Sequence, residues 1–338
     1  MKLRRRVRRV LLPLVLLLAV YTAAATHLER RRLGTSALKG QRTPALLDRE
    51  ALLEEVRLLS APELEGRRTG TSGGRRARAH LAESFAAAGL RPVKGAYVHP
   101  FAFDHTSVRA LFRRDRPFRM RFDDAANVLG LLPGTDAGAG VIVVSAHYDH
   151  VGVRGGVVYP GADDNASGVS TLLALARYLR TASPRHTVLF AAFDAEELGL
   201  RGAAAFVGAP PLDERIVLDL NLDMVSRNPA GEIVVAGTDR WPSLRPIVEA
   251  AARKSPLTVR LGHDRPWWKA GLVEDWTSSS DHGPFDAAGI PFLYVGVEDH
   301  PGYHDPSDTF EHIDRDFFVN AAELVARLFE AADAGLAY

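Results

Sequence analysis

VIVVSAHYDHVGVRGGVVYPGADDNASGVS, from Val141 to Ser170, decides how the rest of the chain is read. It opens on a continuous apolar run, Val141-Ile-Val-Val144, whose β-branched residues mark a buried strand. The run gives out at Ser145-Ala146, and His147, Tyr148, Asp149 and His150 follow at the strand's carboxyl end. Open α/β sheets collect their ligand sites at that end. A glycine-rich loop comes next, then Gly161-Ala-Asp163-Asp164-Asn165-Ala-Ser167-Gly168, then a helical apolar pattern (Val169, Leu172, Leu173, Leu175, Ala176, Leu179). A histidine at a strand end and a carboxylate pair at a helix entrance thus flank one loop. Nitrogen and oxygen donors so arranged suit hard and borderline metals. Asp-Asp-Asn ahead of a helix also serves as plain N-cap chemistry, so the neighbouring segments have to separate the two readings.

Downstream, the same alternation repeats. A strand at Thr187–Phe193 runs into Asp194-Ala-Glu196-Glu197, and a helix follows over Leu198–Val207. A strand over Arg215–Leu222 ends at Asp223. Then come a strand near 232–236, a helix near 243–254 and a short strand near 257–261. The polar and aromatic stretch 262–280 reads as a long loop; its Trp267, Trp268 and Trp276 either wall an apolar pocket or pin the loop itself. A short helix enters at Ser280-Asp-His-Gly-Pro-Phe, a late strand spans Ile290–Val295, and an amphipathic helix closes the chain over 314–335. Strands alternating with helices predict a mixed, mostly parallel sheet in a three-layer αβα sandwich.

Upstream, Leu46, Leu52, Leu53, Val56 and Leu59 share one face of a helix near 45–60. A glycine-rich loop, Glu65 to Gly74, precedes a second helix near 75–88 that Gly89 closes. Gly70-Thr-Ser72-Gly-Gly74 matches G-x-S-x-G, yet a nucleophile elbow needs a strand before the serine and here stands a charged loop. Residues 91–135 alternate strand-like runs with charge: Tyr97–Phe103, Val108–Phe112, Phe118–Phe122 and Asn127–Leu132. The arginines between 109 and 121 read as the solvated face of antiparallel edge strands.

Of 338 residues, the first 32 hold nine Lys/Arg and one Glu, a charge of +8. The whole chain carries +1, so the other 306 residues carry −7. A mildly acidic body argues against nucleic-acid binding by bulk charge. The absence of cysteine excludes disulfides, thiolate metal sites and a cysteine nucleophile. MKLRRRVRR and the apolar VLLPLVLLLAVYTAAA after it form a basic-then-apolar leader with small residues at Ala23–Ala25. Residues 1–25 are expected to be either a cleaved signal peptide or an N-terminal membrane anchor, and 26–44 a linker. The folded unit would then be 45–338, exported from the cytoplasm: secreted, periplasmic or anchored, with the membrane involved only through that leader. Oligomeric state is not legible.

The candidate ligands share one property. His147 and Asp149 follow the first strand, Glu196 and Glu197 the next, Asp223 the third, and Tyr303 and His304 the last. Strand ends of one sheet converge, and so many carboxylates there call for a cation.

The motifs His147-Tyr-Asp149, Gly161 to Gly168, Asp194-Ala-Glu196-Glu197-Leu-Gly199, Asn221-Leu-Asp223-Met and Tyr303-His304-Asp-Pro-Ser-Asp308-Thr resemble those of the di-zinc aminopeptidases of peptidase family M28. The likeness runs from about residue 48 to the C-terminal helix. It implies a zinc-peptidase domain with two zinc ions per chain, one held by His147 and Asp223, the other by Glu197 and His304, with Asp164 bridging. It further implies Asp149 as the partner orienting His147, Glu196 as general base toward a shared water, and Tyr303 as a donor to the developing oxyanion. The peptide bond Asp164–Asn165 is expected to be cis. The implied substrate is a peptide with a free N-terminus, although carboxypeptidase action is also known among relatives. A glutaminyl cyclase, which keeps a similar ligand set with one zinc, and a non-catalytic membrane-anchored ectodomain are the alternatives. His150, His282 and His300 lie beside the motifs without an assigned role.

Overall fold

A computed structural model describes residues 37–106, 119–264 and 274–336. The leader, Val108–Phe112, Trp267 and Trp268 lie outside the described residues. In chain order the strands are β1 (Ala37–Leu38), β2 (Arg91–Pro92), β3 (Val98–Thr106), β4 (Arg119–Leu132), β5 (Val141–His147), β6 (Gly152–Arg154), β7 (Val157–Tyr159), β8 (Thr187–Phe193), β9 (Ile216–Asp223), β10 (Glu232–Ala236), β11 (Thr258–Leu261) and β12 (Phe292–Gly296). The helices are α1 (Arg49–Leu59), α2 (Ser72–Ala87), α3 (Gly168–Ala182), α4 (Arg201–Gly208), α5 (Arg245–Ala252), α6 (His282–Ala287) and α7 (Arg315–Gly335).

Ten strands form one mixed sheet in the order β1-β11-β10-β12-β9-β5-β8-β4-β2, with β3 laid along β4. The central four, β12-β9-β5-β8, are all parallel, and antiparallel pairings lie outside them. Burial explains that placement, because parallel strands need apolar cover on both faces. Every residue of β5 is buried. Ile142, Val144 and Ala146 point to the face covered by α1, α2, α3, α5 and α7, whereas Val141 and Val143 join Ala203, Phe206 and Phe285 of α4 and α6 on the other. A two-residue period thus divides one strand between two cores, giving three αβα layers.

Caps mark the helix starts where the sequence places polar residues. Asp48 accepts from the Ala51 amide at 3.1 Å, and Asp314 from that of Phe317 at 3.0 Å. Ser72 is the first residue of α2 and bonds Glu65 at 2.6 Å, so no strand leads into it and no nucleophile elbow forms.

Two expectations are revised. Phe118–Phe122 and Asn127–Leu132 are not separate strands: the fourteen residues Arg119–Leu132 form β4, which pairs with β3 across an irregularity between Phe101 and Phe103. Asp123 and Asp124, between the two runs, lie exposed at that irregularity, where Phe103 pairs with Phe122 and Phe101 with Ala125. The segment 26–44 is not wholly a linker either. From Ala37 it lies on the body: β1 pairs antiparallel with β11, the Gln41 amide donates to the Arg253 carbonyl at 3.1 Å, and Arg327 donates to the Pro44 carbonyl at 2.7 Å. A two-residue strand is too short to show a period.

Candidate metal centre

The four central strands end on one edge of the sheet, and the candidate residues end with them. His147 is the last residue of β5 and Asp223 the last of β9; Glu196 and Glu197 follow β8, and Tyr303 and His304 follow β12. Between β5 and α3 the glycine-rich loop is a hairpin of β6 and β7, turned by Gly155 and Gly156 at φ 59° and 81°. Beyond it, Asp164 reaches the same edge, and the Asp164–Asn165 peptide bond is cis.

Asp164 lies between two donor groups. His147 Nε2 is 3.3 Å from its Oδ1 and 3.2 Å from Asp223 Oδ1. On its other oxygen, Oδ2 is 3.1 Å from His304 Nε2 and 3.5 Å from His150 Nδ1. Glu197 Oε1 completes that group, 3.0 Å from His304 and 2.9 Å from His150. Imidazole nitrogens and carboxylate oxygens without thiolate form a donor set that zinc accepts. Glu197 Oε1 and both ring nitrogens of His150 are buried without a hydrogen-bond partner, and a bound cation removes that cost for the carboxylate oxygen and for Nδ1, the nitrogen beside it. The residues fit a metal pair.

The backbone carrying these ligands is tied down by groups outside them. Asp308 accepts from the Asp163 amide at 2.9 Å and the Asp164 amide at 3.1 Å. Asp163, the partner of Asp164 in sequence, turns away to accept from the Ser226 amide at 2.7 Å and to meet His300 Nε2 at 2.8 Å. Arg67, fully buried, spends its guanidinium on carbonyls: Tyr148 at 2.8 Å, Leu59 and Pro160 at 2.6 Å, Gly161 at 2.9 Å and Asp164 at 3.4 Å. That fork joins the His147 strand end to the Asp164 loop. Burial pushes Arg67 down to about 10, against the pull of Asp164 and Asp308.

His147 Nδ1 meets the main-chain carbonyl of Asp149 at 3.0 Å, while the Asp149 carboxylate stands 3.9 Å away. That carboxylate accepts instead from the Glu196 amide at 3.0 Å and so fixes the turn bearing both glutamates. Tyr303 stacks on His304 with ring centroids 4.0 Å apart. A cleft of about 140 Å³ opens over the centre, lined by His147, Asp164, Glu196, Asp223, Trp276 and Tyr303 among others. His282 and His300 do not line it. His282 holds the Trp276 carbonyl at 2.6 Å and so props that wall.

Charge in the centre is one-sided. Burial pushes Glu196 well above the usual carboxylate range, and Asp223, Asp281 and Glu197 add to it against the pull of His147. Asp281, buried with neither oxygen hydrogen-bonded, is pushed up to about 7 by burial. Burial works against the charged form of His304, yet Asp164 and Glu197 hold it up at about 10. Protons thus collect where a cation would sit.

Sequence reading left three contributors without a role: His150, noted only as lying beside the motifs, Arg67, and the Asp163–Asp308 pair. The spacing His147-x-x-His150 was the available signal for the first.

The description "Peptidase family M28" matches residues 127–329 of the chain. The aminopeptidase YwaD of Bacillus subtilis strain 168 is 35% identical over 207 residues, 56% of this chain and 41% of its own length. The chain therefore spans under half of that relative. Among solved structures, the aminopeptidase of Aneurinibacillus sp. strain AM-1 superposes with a TM-score of 0.65 at 18% identity, covering 83% of this chain and 93% of its own. A glutaminyl cyclase of Bacteroides thetaiotaomicron reaches 0.64 at 17%, covering 85% and 99%. At such identities the likeness concerns the fold.

Proposed function

The chain belongs to peptidase family M28, and we propose that it is an exported, zinc-dependent aminopeptidase with two zinc ions per chain, hydrolysing the N-terminal peptide bond of peptides. One observation carries the reading: Asp164 presents one carboxylate oxygen to His147 and Asp223 and the other to Glu197 and His304. Among the described residues no helix is long and apolar enough to cross a membrane. Support for export comes from the basic-then-apolar leader.

Bound there, a metal pair supplies Lewis acidity and lowers the pKa of water. The chain's own groups do the rest. Glu196 reaches the cleft free of the Asp164 donor groups, so it is the base that takes a proton and returns it to the leaving amine. Tyr303, half-exposed at the rim, donates toward the developing oxyanion. Asp149 keeps the glutamate turn in register through the Glu196 amide. The acidic centre attracts a substrate ammonium, which favours a free amino end. A mono-zinc cyclase needs one donor group, and both are complete here. No ligand is missing, which speaks against a non-catalytic ectodomain.

Matched peptides with a free N-terminus, an acetylated N-terminus or an amidated C-terminus test this, with and without chelator. The free and the C-amidated peptides should lose their first residue, the acetylated one should not, and chelator should stop the reaction. Cleavage of the acetylated peptide at a comparable rate, or cyclisation in place of cleavage with an N-terminal glutamine, would overturn the assignment.

A further inference from the structure

The two donor groups that share Asp164 are unequal, and the difference deepens the metallopeptidase reading while resting on it. Three donors gather about Asp164 Oδ1: that oxygen, His147 Nε2 and Asp223 Oδ1. Four gather about its other oxygen: Asp164, His150, Glu197 and His304. In the larger group, donor separations are 2.9 Å (His150–Glu197), 3.0 Å (His304–Glu197), 3.1 Å (His304–Asp164) and 3.5 Å (His150–Asp164). Donors held about 2.0–2.1 Å from a tetrahedral zinc stand roughly 3.3 Å apart, an edge length these separations bracket.

Hydrogen-bonded imidazole–carboxylate pairs lie at similar distances, so orientation has to decide. His150 is buried, and neither ring nitrogen forms a hydrogen bond, although Nδ1 lies 2.9 Å from Glu197 Oε1. An N–H aimed at that oxygen would have made one. Packing holds the ring instead. It sits edge-on to His304 at 5.6 Å, over Gly161, where an added Cβ would fall 2.6 Å from the His150 ring. Gly161 has φ 61°, which also favours glycine.

The geometry points to His150 as a fourth protein ligand to one of the two zincs, which makes that position closed and the other open. Four protein donors are the pattern of a retained zinc, and three with a vacant position that of a catalytic one. Substrate and water then meet on the His147–Asp223 side. Glu196 lines the cleft together with His147 and Asp223, whereas Glu197 and His150 do not. The closed zinc anchors Asp164 and contributes charge.

Titration of zinc into the metal-free full chain, read against a chromogenic chelator, tests the division. Wild type should show two classes at least about tenfold apart, and His150→Ala should weaken the tighter class by about tenfold or more while sparing the weaker. Asp223→Asn should do the reverse. Cobalt(II) in the tight class adds a second readout, because losing an imidazole from its shell shifts the visible bands and losing a mere neighbour does not. His150→Gln, close in volume, serves if the alanine variant does not fold. Two zinc classes untouched by His150 substitution, or both weakened alike, would overturn this inference and leave the peptidase reading standing. A wild-type chain that takes up no zinc would remove both.

Discussion

Helix α3 carries two buried polar clusters of opposite character. Midway along it, Arg177 donates to Glu55 of α1 at 3.1 Å, and His80 of α2 closes on the same carboxylate. One anion meets two partners able to carry positive charge. At the helix entrance, Asp149, Asp164, Glu196, Glu197, Asp223 and Asp281 converge instead. The guanidinium buried beside them, Arg67, gives its donors to carbonyls. The consequences differ in kind. Around Glu55 burial opposes the charged form, but His80 and Arg177 outweigh it and hold the pKa below its ordinary value. At the entrance the outcome is split: burial raises Glu196 and Asp281, whereas the neighbouring histidines outweigh it at Asp164 and Glu197 and hold those two down. A balanced cluster is complete as it stands, whereas an unbalanced one calls for a cation. Residue type alone does not distinguish them.

The largest expected effect is at the unbalanced end. Glu196→Gln keeps the shape and removes the base, so turnover should fall by about 10²–10⁴-fold with zinc content near that of wild type. Glu197→Gln replaces a charged donor with a weaker neutral one. It should lower zinc occupancy, and excess metal should partly restore activity. Metal analysis beside peptide hydrolysis separates the two. If Glu196→Gln sheds zinc and Glu197→Gln keeps it, the two roles are exchanged.

The reach of sequence reading follows the same contrast. His147, Asp223, Glu197 and His304 were visible because each closes or follows an apolar strand, and the fold brings such ends together. The αβα layering was legible because short apolar runs such as β5 alternate with helical apolar patterns such as that of α3. His150 stood beside the motifs without a role, since its approach depends on the β6–β7 hairpin and on Gly161 leaving room for the ring. Arg67 looked like one charge in an arginine-rich loop; only the assembled chain brings five carbonyls around it. Strand β1 is two residues long and takes its identity from its partner β11.

A middling effect sharpens the comparison from the balanced end. Glu55→Gln leaves Arg177 and His80 without their anion and should cost about 2 kcal/mol of unfolding free energy. That is less than the roughly 3–5 of a fully buried pair, because both partners are about one-third exposed and solvent screens them. Zinc content and turnover should not change. Urea melts of metal-free protein give the first quantity, and a variant that also lost zinc would show the clusters to be coupled.

The smallest effect is a pH signature of the balanced cluster. The hydrogen bond to Glu55 raises His80 above its ordinary 6.5, and Glu55 lies below its ordinary 4.5. A raised histidine stabilises fully below its unfolded value and loses that contribution as pH climbs through the folded one. A lowered carboxylate does so above its unfolded value and loses it as pH falls through the folded one. The pair therefore contributes most between about pH 4.5 and 6.5. Comparing wild type with His80→Gln, both metal-free, cancels the titration of the acidic centre. The difference in unfolding free energy should reach about 0.5–1 kcal/mol inside that window, modest because the imidazole is partly solvated. It should then shrink steadily on the alkaline side. A difference that stayed flat from pH 5 to 9 would mean that His80 holds its place by packing, and the cluster would owe its balance to Arg177 alone.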